Sequence, residues 1–228
     1  MPDQPEKNAE ENVIPQPYRY FIINKPANMV SQFVSPDDVG LLRDLAYDFP
    51  EGTHAIGRLD NKSEGLLILT TNKKVTALLF QGEIPHKRTY WVNVAHHVSP
   101  QTLELLRNGI KIEVKGGVKY LTAPCEVEII PRPEILLKMK NEERENVPNT
   151  WLQISLTEGK FHQIRKMVRT AGHRCKRLIR VSIEDLQLDG LEPGGVREIE
   201  EETFFRLLKI SNWRSAVSSS DLAHTPPV

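Results

Sequence analysis

The stretch Gly57–Asn72, GRLDNKSEGLLILTTN, sets the triplet Arg58-Leu59-Asp60 a few residues ahead of a continuous apolar run, Leu66 to Leu69. A run of that length, bounded by Gly and Asn, suits a strand buried on both faces. Asp60 and Arg58 then ride on a short connection anchored by a rigid core element, where reacting side chains tend to sit. A plainer reading, in which Asp60 only caps a turn through backbone amides, fits this stretch as well. What separates the two lies downstream.

The chain has 228 residues, enough for one large domain or two small ones with a real core. Its 30 basic and 30 acidic residues cancel, so net charge points to no particular partner. The two cysteines, Cys125 and Cys175, lie far apart and form no CxxC pair. They are expected as free thiols in a reducing cytoplasm, with a single disulfide as the alternative. Met1 is followed by polar residues without an apolar run, so no secretory signal is expected. No stretch reaches the apolar length that spans a bilayer.

Residues 1–17 are polar, acid-leaning and punctuated by proline, and a disordered tail is expected there. Tyr18 to Asn24 is rich in strand formers and stops at Lys25-Pro26. Leu41, Leu42, Leu45, Ala46 and Phe49 recur at helical spacing before Pro50, which predicts a helix. Val75, Leu78, Leu79 and Phe80 mark a second helix closed by Gly82. A strand is expected late in His86–Val94. Ser99 as N-cap and Pro100 at the first helical position open a helix through Leu106. Ile110–Val114 and Pro124–Ile130 read as strands flanking a Gly116-Gly117 hairpin turn.

Residues 131–150 are charged and are expected as an exposed excursion. Trp151–Leu156 alternates as a strand. Phe161, Ile164 and Val168 are expected on one helix face ended by Gly172. Lys176–Leu188 and Val196–Ile199 read as strands, and Glu202–Leu208 as a closing helix. Residues 211–228 are Ser/Pro-rich and are expected as a second disordered tail. Strands with interspersed helices and no regular βαβ alternation predict an α+β fold with a mixed, mainly antiparallel sheet, its single domain spanning 18–210.

The charge is unevenly spread. From Lys160 to Arg180 the basic residues are Lys160, Arg165, Lys166, Arg169, Arg174, Lys176, Arg177 and Arg180, with no acidic residue among them. A single-sign run in a neutral protein is the footprint of a polyanion site, whereas a merely solvated face intersperses both signs. Lys160, His162, Lys166, Arg169, Lys176, Arg177 and Arg180 are therefore candidate nucleic-acid-binding residues, with Lys87, Arg88 and Arg58 as extensions. His162, His173 and Cys175 fall near one another, but metal ligation needs a fourth partner that the local sequence does not supply, so no metal is expected.

A basic groove beside a loop Asp suggests chemistry on a nucleotide. A stacked base is out of reach, so it must be extruded onto an apolar or aromatic platform, and Tyr90 offers one. Arg58 would fill the space the base vacates. An ionised Asp60 in a dry pocket needs a cationic partner, and Arg165 is the candidate.

Phe21-Ile22-Ile23-Asn24-Lys25-Pro26, Gly57-Arg58-Leu59-Asp60 with Ser63-Glu64-Gly65-Leu66-Leu67, Lys87-Arg88-Thr89-Tyr90, Glu158 to Met167, Leu178-Ile179-Arg180 and Leu188-Asp189-Gly190-Leu191 follow one another in this order. In that order they resemble the RsuA-type pseudouridine synthases over roughly Tyr18 to Ile210. The resemblance implies a mostly antiparallel sheet with a central cleft and isomerisation of uridine to pseudouridine in RNA, without cofactor or metal. It makes Asp60 the catalytic carboxylate, stacks Tyr90 on the uracil, pairs Arg165 with Asp60, places Leu178 on the pocket floor and gives Arg58 a part in flipping. Whether Asp60 attacks the anomeric carbon or removes a proton from the neighbouring ribose carbon stays open. Only a short acidic tail precedes the motifs, as in the RluE-like subgroup, which acts on large-subunit ribosomal RNA. The expected partner is thus ribosomal RNA, large subunit ahead of small, met by a cytoplasmic monomer. The competing class is an RNA-binding assembly factor or chaperone in which catalysis is secondary. A hydrolase using Asp60 with His162 ranks last, for want of a nucleophile–base motif.

Overall fold

Side-chain alternation along Tyr20–Lys25 and Glu64–Thr70 explains a sheet covered on both faces. Tyr20, Ile22, Leu66 and Ile68 point into one cluster with Phe204 and Phe205. Phe21, Ile23, Leu67 and Leu69 point into another with Leu42 and Leu45. Burying each such side chain stabilises the fold by roughly 1.5–3 kcal/mol. The computed structural model describes residues 17–82, 85–134 and 148–214.

The elements run β1 (Tyr20–Lys25), β2 (His54–Ile56), β3 (Glu64–Thr70), α1 (Val75–Phe80), β4 (Arg88–Ala95), α2 (Pro100–Arg107), β5 (Lys111–Glu113), β6 (Lys119–Leu121) and β7 (Glu126–Ile130). They continue with β8 (Asn149–Leu156), α3 (Gln163–Thr170), β9 (Cys175–Ile183), β10 (Leu186–Gln187), β11 (Val196–Ile199) and α4 (Glu201–Leu207). The main sheet has the order β11-β1-β3-β9-β4-β8-β7, with β2 added to β3 and β10 to β9. Its neighbours are antiparallel except β3 and β9, which run parallel and pair only at Glu64↔Ile179 and Gly65↔Arg180. The sheet therefore consists of two antiparallel halves joined by a two-residue seam. This is the expected α+β class with a mainly antiparallel sheet.

Gly65 permits the seam. Its φ is +99°, and a Cβ there would lie 2.2 Å from the Arg180 carbonyl oxygen. Only glycine allows the two backbones to approach so closely.

Several local expectations hold. The run at Leu66–Leu69 is a strand buried throughout. Ser99 Oγ accepts from Thr102 N–H at 3.1 Å with Pro100 opening the helix. Cys125 and Cys175 are free thiols.

Others are corrected. The helix expected at 41–49 is one 3₁₀ turn, Leu42–Asp44, closed by the Asp44 carboxylate accepting from Leu41 N–H at 2.7 Å. Leu42, Leu45 and Phe49 instead pack individually on the second face of the sheet, where Tyr47 and Phe49 set their rings edge-on to Phe21. Tertiary packing overrides the helical spacing there. The Gly116-Gly117 turn joins β5 to β6, not to β7, which pairs with β8 in the main sheet. The strand expected at 176–188 breaks at Glu184, whose φ is +50°, and β10 folds back on β9. β8 begins at Asn149, inside the expected excursion, and residues 135–147 lie outside the described residues. Trp213 stacks on Phe205 with centroids 4.5 Å apart. The tails at 1–16 and 215–228 lie outside the described residues.

Candidate active site

The connection from β2 to β3 carries Asp60 and is pinned from several sides. Ser31 Oγ accepts from Leu59 N–H at 3.0 Å and contacts the Leu59 carbonyl oxygen at 3.1 Å. Asn28 N–H donates to Asn61 O at 2.9 Å. Lys25, fully buried, donates from Nζ to Pro26 O, Met29 O and Asn61 O at 2.8, 2.6 and 3.4 Å. Burial pulls its pKa down to about 8, against the opposing charges of Glu64 and Asp60. The loop that presents the carboxylate is thus held by backbone bonds and one sequestered cation, as a preorganised site requires.

Around this loop, at the seam, opens a cavity of about 300 Å³ whose lining includes Arg58, Asp60, Phe80, Arg88, Tyr90, Glu158, Lys160, His162, Leu178 and Arg180. Tyr90 enters from β4, where the register with β9 shifts between Thr89 and Tyr90; such an irregularity re-aims a side chain. Leu178, buried, supplies apolar wall from β9. The structure thereby brings Asp60, Arg58, Tyr90, Leu178, Lys160 and His162 together from four separate stretches of sequence. A larger groove of about 640 Å³ lies on the opposite face, beside Thr89, Trp91 and Val181, and contains none of the expected site residues.

The charge partners of Asp60 differ from expectation. His162 Nε2 stands 3.4 Å from Asp60 Oδ1, and Ser63 Oγ reaches Oδ2 at 3.5 Å. Arg165 does not ion-pair with Asp60: its Nη2 donates to Ser63 Oγ and Lys62 O, both at 3.1 Å. It braces the loop one hydroxyl away from the carboxylate. His162 reaches inward because its backbone is left-handed, φ +55°, just ahead of α3.

The basic run divides by burial. Arg169 and Lys176 are exposed, and Lys166 lies partly exposed on α3. Arg177 is committed to a bidentate pair with Glu64 at 2.8 and 2.7 Å, both side chains nearly buried. Arg180 is 5% exposed, donates from Nε to Leu66 O at 2.7 Å, and lines the cavity floor. Burial lowers its pKa, neighbouring Tyr90 opposes the shift, and its Nη2 is buried without a hydrogen-bond partner. Neither Arg177 nor Arg180 is therefore a solvent-facing phosphate grip: the Glu64 carboxylate holds one guanidinium and the Leu66 carbonyl the other. The expected neighbours His162 and His173 separate too, since His173 Nδ1 meets the Ala95 carbonyl.

Sequence reasoning missed Glu158 and Phe80. Glu158 accepts from Tyr120 Oη, from Ala123 N–H at 3.0 Å and from Gln163 Nε2 at 2.6 Å, which ties the β5–β6 hairpin to the start of α3. Only its place in the Glu158–Met167 motif signalled it. Phe80, expected as helix core, faces the cavity.

A carboxylate, a phenol and several cations line one hollow of nucleotide size, a setting that suits chemistry on a polyanion. The family is shown by comparison: the RNA pseudouridylate synthase family model matches residues 19–170, and the chain belongs to that family. It is similar to the ribosomal large subunit pseudouridine synthase E of Vibrio parahaemolyticus, with 38% identity over 80% of this chain and 74% of the relative. The protein of the same name from Xanthomonas axonopodis pv. citri is 33% identical over 75% of this chain and 89% of its own length. A crystal structure of a pseudouridylate synthase superposes with TM-score 0.67 at 26% identity, covering 84% of this chain and 74% of that one. The chain is an RNA pseudouridine synthase, an isomerase.

Proposed function

We propose that this enzyme isomerises a specific uridine in large-subunit ribosomal RNA, with Asp60 as the catalytic carboxylate. The observation that carries the assignment is the convergence of Asp60, Tyr90 and Leu178 on one cavity, with Arg58 at its edge. The relatives named as large-subunit enzymes favour that substrate.

The reaction is redox-neutral. The bond from uracil N1 to the ribose C1′ breaks, the ring turns, a bond from C5 to C1′ forms, the C5 proton leaves, and N1 takes up a proton, so no atom is gained or lost overall. Asp60 acts at the sugar, either by attack at C1′ or by taking the neighbouring ribose proton, and both routes need it ionised. His162 and the Ser63 hydroxyl, itself held by Arg165, keep the carboxylate in place. Tyr90 stacks on the uracil and assists removal of the C5 proton, Leu178 packs beneath, and Arg58 occupies the place the base leaves. Lys160, Lys166, Arg169 and Lys176 hold phosphates around the opening.

Asp60→Asn in purified protein, assayed by tritium release from large-subunit ribosomal RNA labelled at uridine C5, tests the role of the carboxylate. The expected result is loss of release by at least about a thousandfold, an effect of more than ~4 kcal/mol, with an unchanged circular dichroism spectrum. Normal release would remove Asp60 from the chemistry.

A further inference from the structure

Among the described residues, two phenylalanines leave a large part of their side chains in solvent: Phe80 at 48% and Phe161 at 74% exposure. Both border the cavity that holds Asp60. Leaving such a ring in water forgoes roughly 1.5–3 kcal/mol of burial. Scattered exposed apolar residues need no explanation, but two at the mouth of one polar cavity form a patch.

Each ring is seated. Phe80 ends α1, where Leu79 takes the core position, and its ring lies against the backbone of Gly57. A Cβ on Gly57 would meet Phe80 Cζ at 2.9 Å, and Gly57 has φ +71°, so glycine here makes room for the ring at the root of the Arg58–Asp60 loop. On the α3 side, Phe161 stacks on His162 with centroids 3.8 Å apart and planes 18° apart. Lys166 Nζ stands 5.5 Å from the Phe161 centroid. The cations Arg58, Arg88 and Lys160 border the same cavity. Exposed aromatic faces interleaved with cations are the recognition chemistry of unpaired nucleic acid: bases stack on the rings and phosphates meet the cations. Stacking of this kind tolerates any base, because every base has a π-face.

We infer that Phe80 and Phe161 form a stacking rim that takes up the unpaired bases flanking the nucleotide in the cavity, so that the site accepts RNA only where consecutive nucleotides are single-stranded. The inference rests on the cavity being the uridine site and adds what must surround that uridine. Bases paired in a helix present no face to either ring, so a uridine inside a regular duplex is excluded even when its own flipping is possible.

The test has two parts on the full chain. First, the wild-type protein is irradiated at 254 nm on transcribed large-subunit ribosomal RNA, digested, and searched for peptides bearing a nucleotide. Adducts on Phe80 and Phe161 are expected; adducts confined to other residues, or none, overturn the rim. Second, affinity for a single-stranded uridine dodecamer is measured for the wild type and for the double variants Phe80→Ala/Phe161→Ala and Phe80→Tyr/Phe161→Tyr. The alanine pair is expected to bind at least about thirtyfold more weakly and the tyrosine pair, which keeps both π-faces, within about twofold of wild type. An alanine pair equal to wild type, a tyrosine pair as weak as the alanine pair, or no measurable wild-type binding contradicts the proposal. The catalytic reading fails separately, by undiminished turnover of Asp60→Asn, and leaves these readouts in force.

Discussion

Lys25 holds the loop that carries Asp60 from within the fold. Its ammonium is fully buried, bonded to three carbonyl oxygens, one of them on the residue after Asp60. The folded pKa, about 8, lies below the ordinary 10.5 because burial penalises the charge. Between those values the unfolded chain binds more protons than the folded one. Stability therefore rises with pH from about 8 to 10.5, and below pH 8 the full cost of the buried charge is present. Urea unfolding at pH 8 and pH 10 should show that gain in the wild type and a smaller one in Lys25→Met. Equal pH dependence in both proteins would contradict the assignment. Lys25→Met also leaves buried carbonyls unpaired, an effect of about 1–3 kcal/mol, partly offset by removing the charge. The meeting of Asp60, Tyr90 and Leu178 at one cavity was legible in the sequence because motifs mark them. The partner of Asp60 was not: nothing in the spacing of His162 and Arg165 reveals that a left-handed residue turns the imidazole toward the carboxylate while the guanidinium stops at Ser63.

At the scale of elements, the parallel pairing of β3 with β9 decides where the site can be. It spans two residues, and one of them is Gly65, with Arg180 opposite. Gly65→Ala would drive a Cβ to 2.2 Å from a carbonyl oxygen while φ stays at +99°. We expect it to cost at least ~3 kcal/mol, a fall in Tm of roughly 6–12 °C, and to lower turnover by shifting Tyr90 relative to Asp60. A melting temperature unchanged within a degree would show that the seam tolerates separation. Strands of continuous or alternating apolar residues, such as β3 and β8, were legible because their period is imposed by burial. The segment 41–49 was not, since apolar residues filling an irregular surface can fall at helical spacing by packing alone. The hairpin partner of β5 was missed because β6 is three residues long and carries little pattern of its own.

For the whole molecule, net charge of zero conceals a local division of labour. Of the run from Lys160 to Arg180, Arg169 and Lys176 face solvent, whereas Arg177 and Arg180 are drawn into the fold. Replacing Arg169 and Lys176 by Gln should flatten the dependence of log binding constant on log salt by about 0.7 per residue on single-stranded RNA. Arg177→Gln should leave that slope unchanged and instead destabilise the protein, because Glu64 loses its buried partner. A slope change from Arg177→Gln equal to that from Arg169→Gln would contradict the division. The run was legible in the sequence as a cluster of one sign, but the withdrawal of Arg177 and Arg180 from solvent depends on Glu64 and Leu66, partners far off in sequence. The proposed function joins these scales by giving a carboxylate, held by the β2–β3 loop at a seam between half-sheets, the isomerisation of a uridine in large-subunit ribosomal RNA. The most direct measurement is pseudouridine mapping of ribosomal RNA from cells lacking the protein, complemented with wild type or with Asp60→Asn. The account predicts one large-subunit pseudouridine restored by the wild type and absent with Asp60→Asn; restoration by Asp60→Asn, or an unchanged large-subunit map in the deletion, would contradict it.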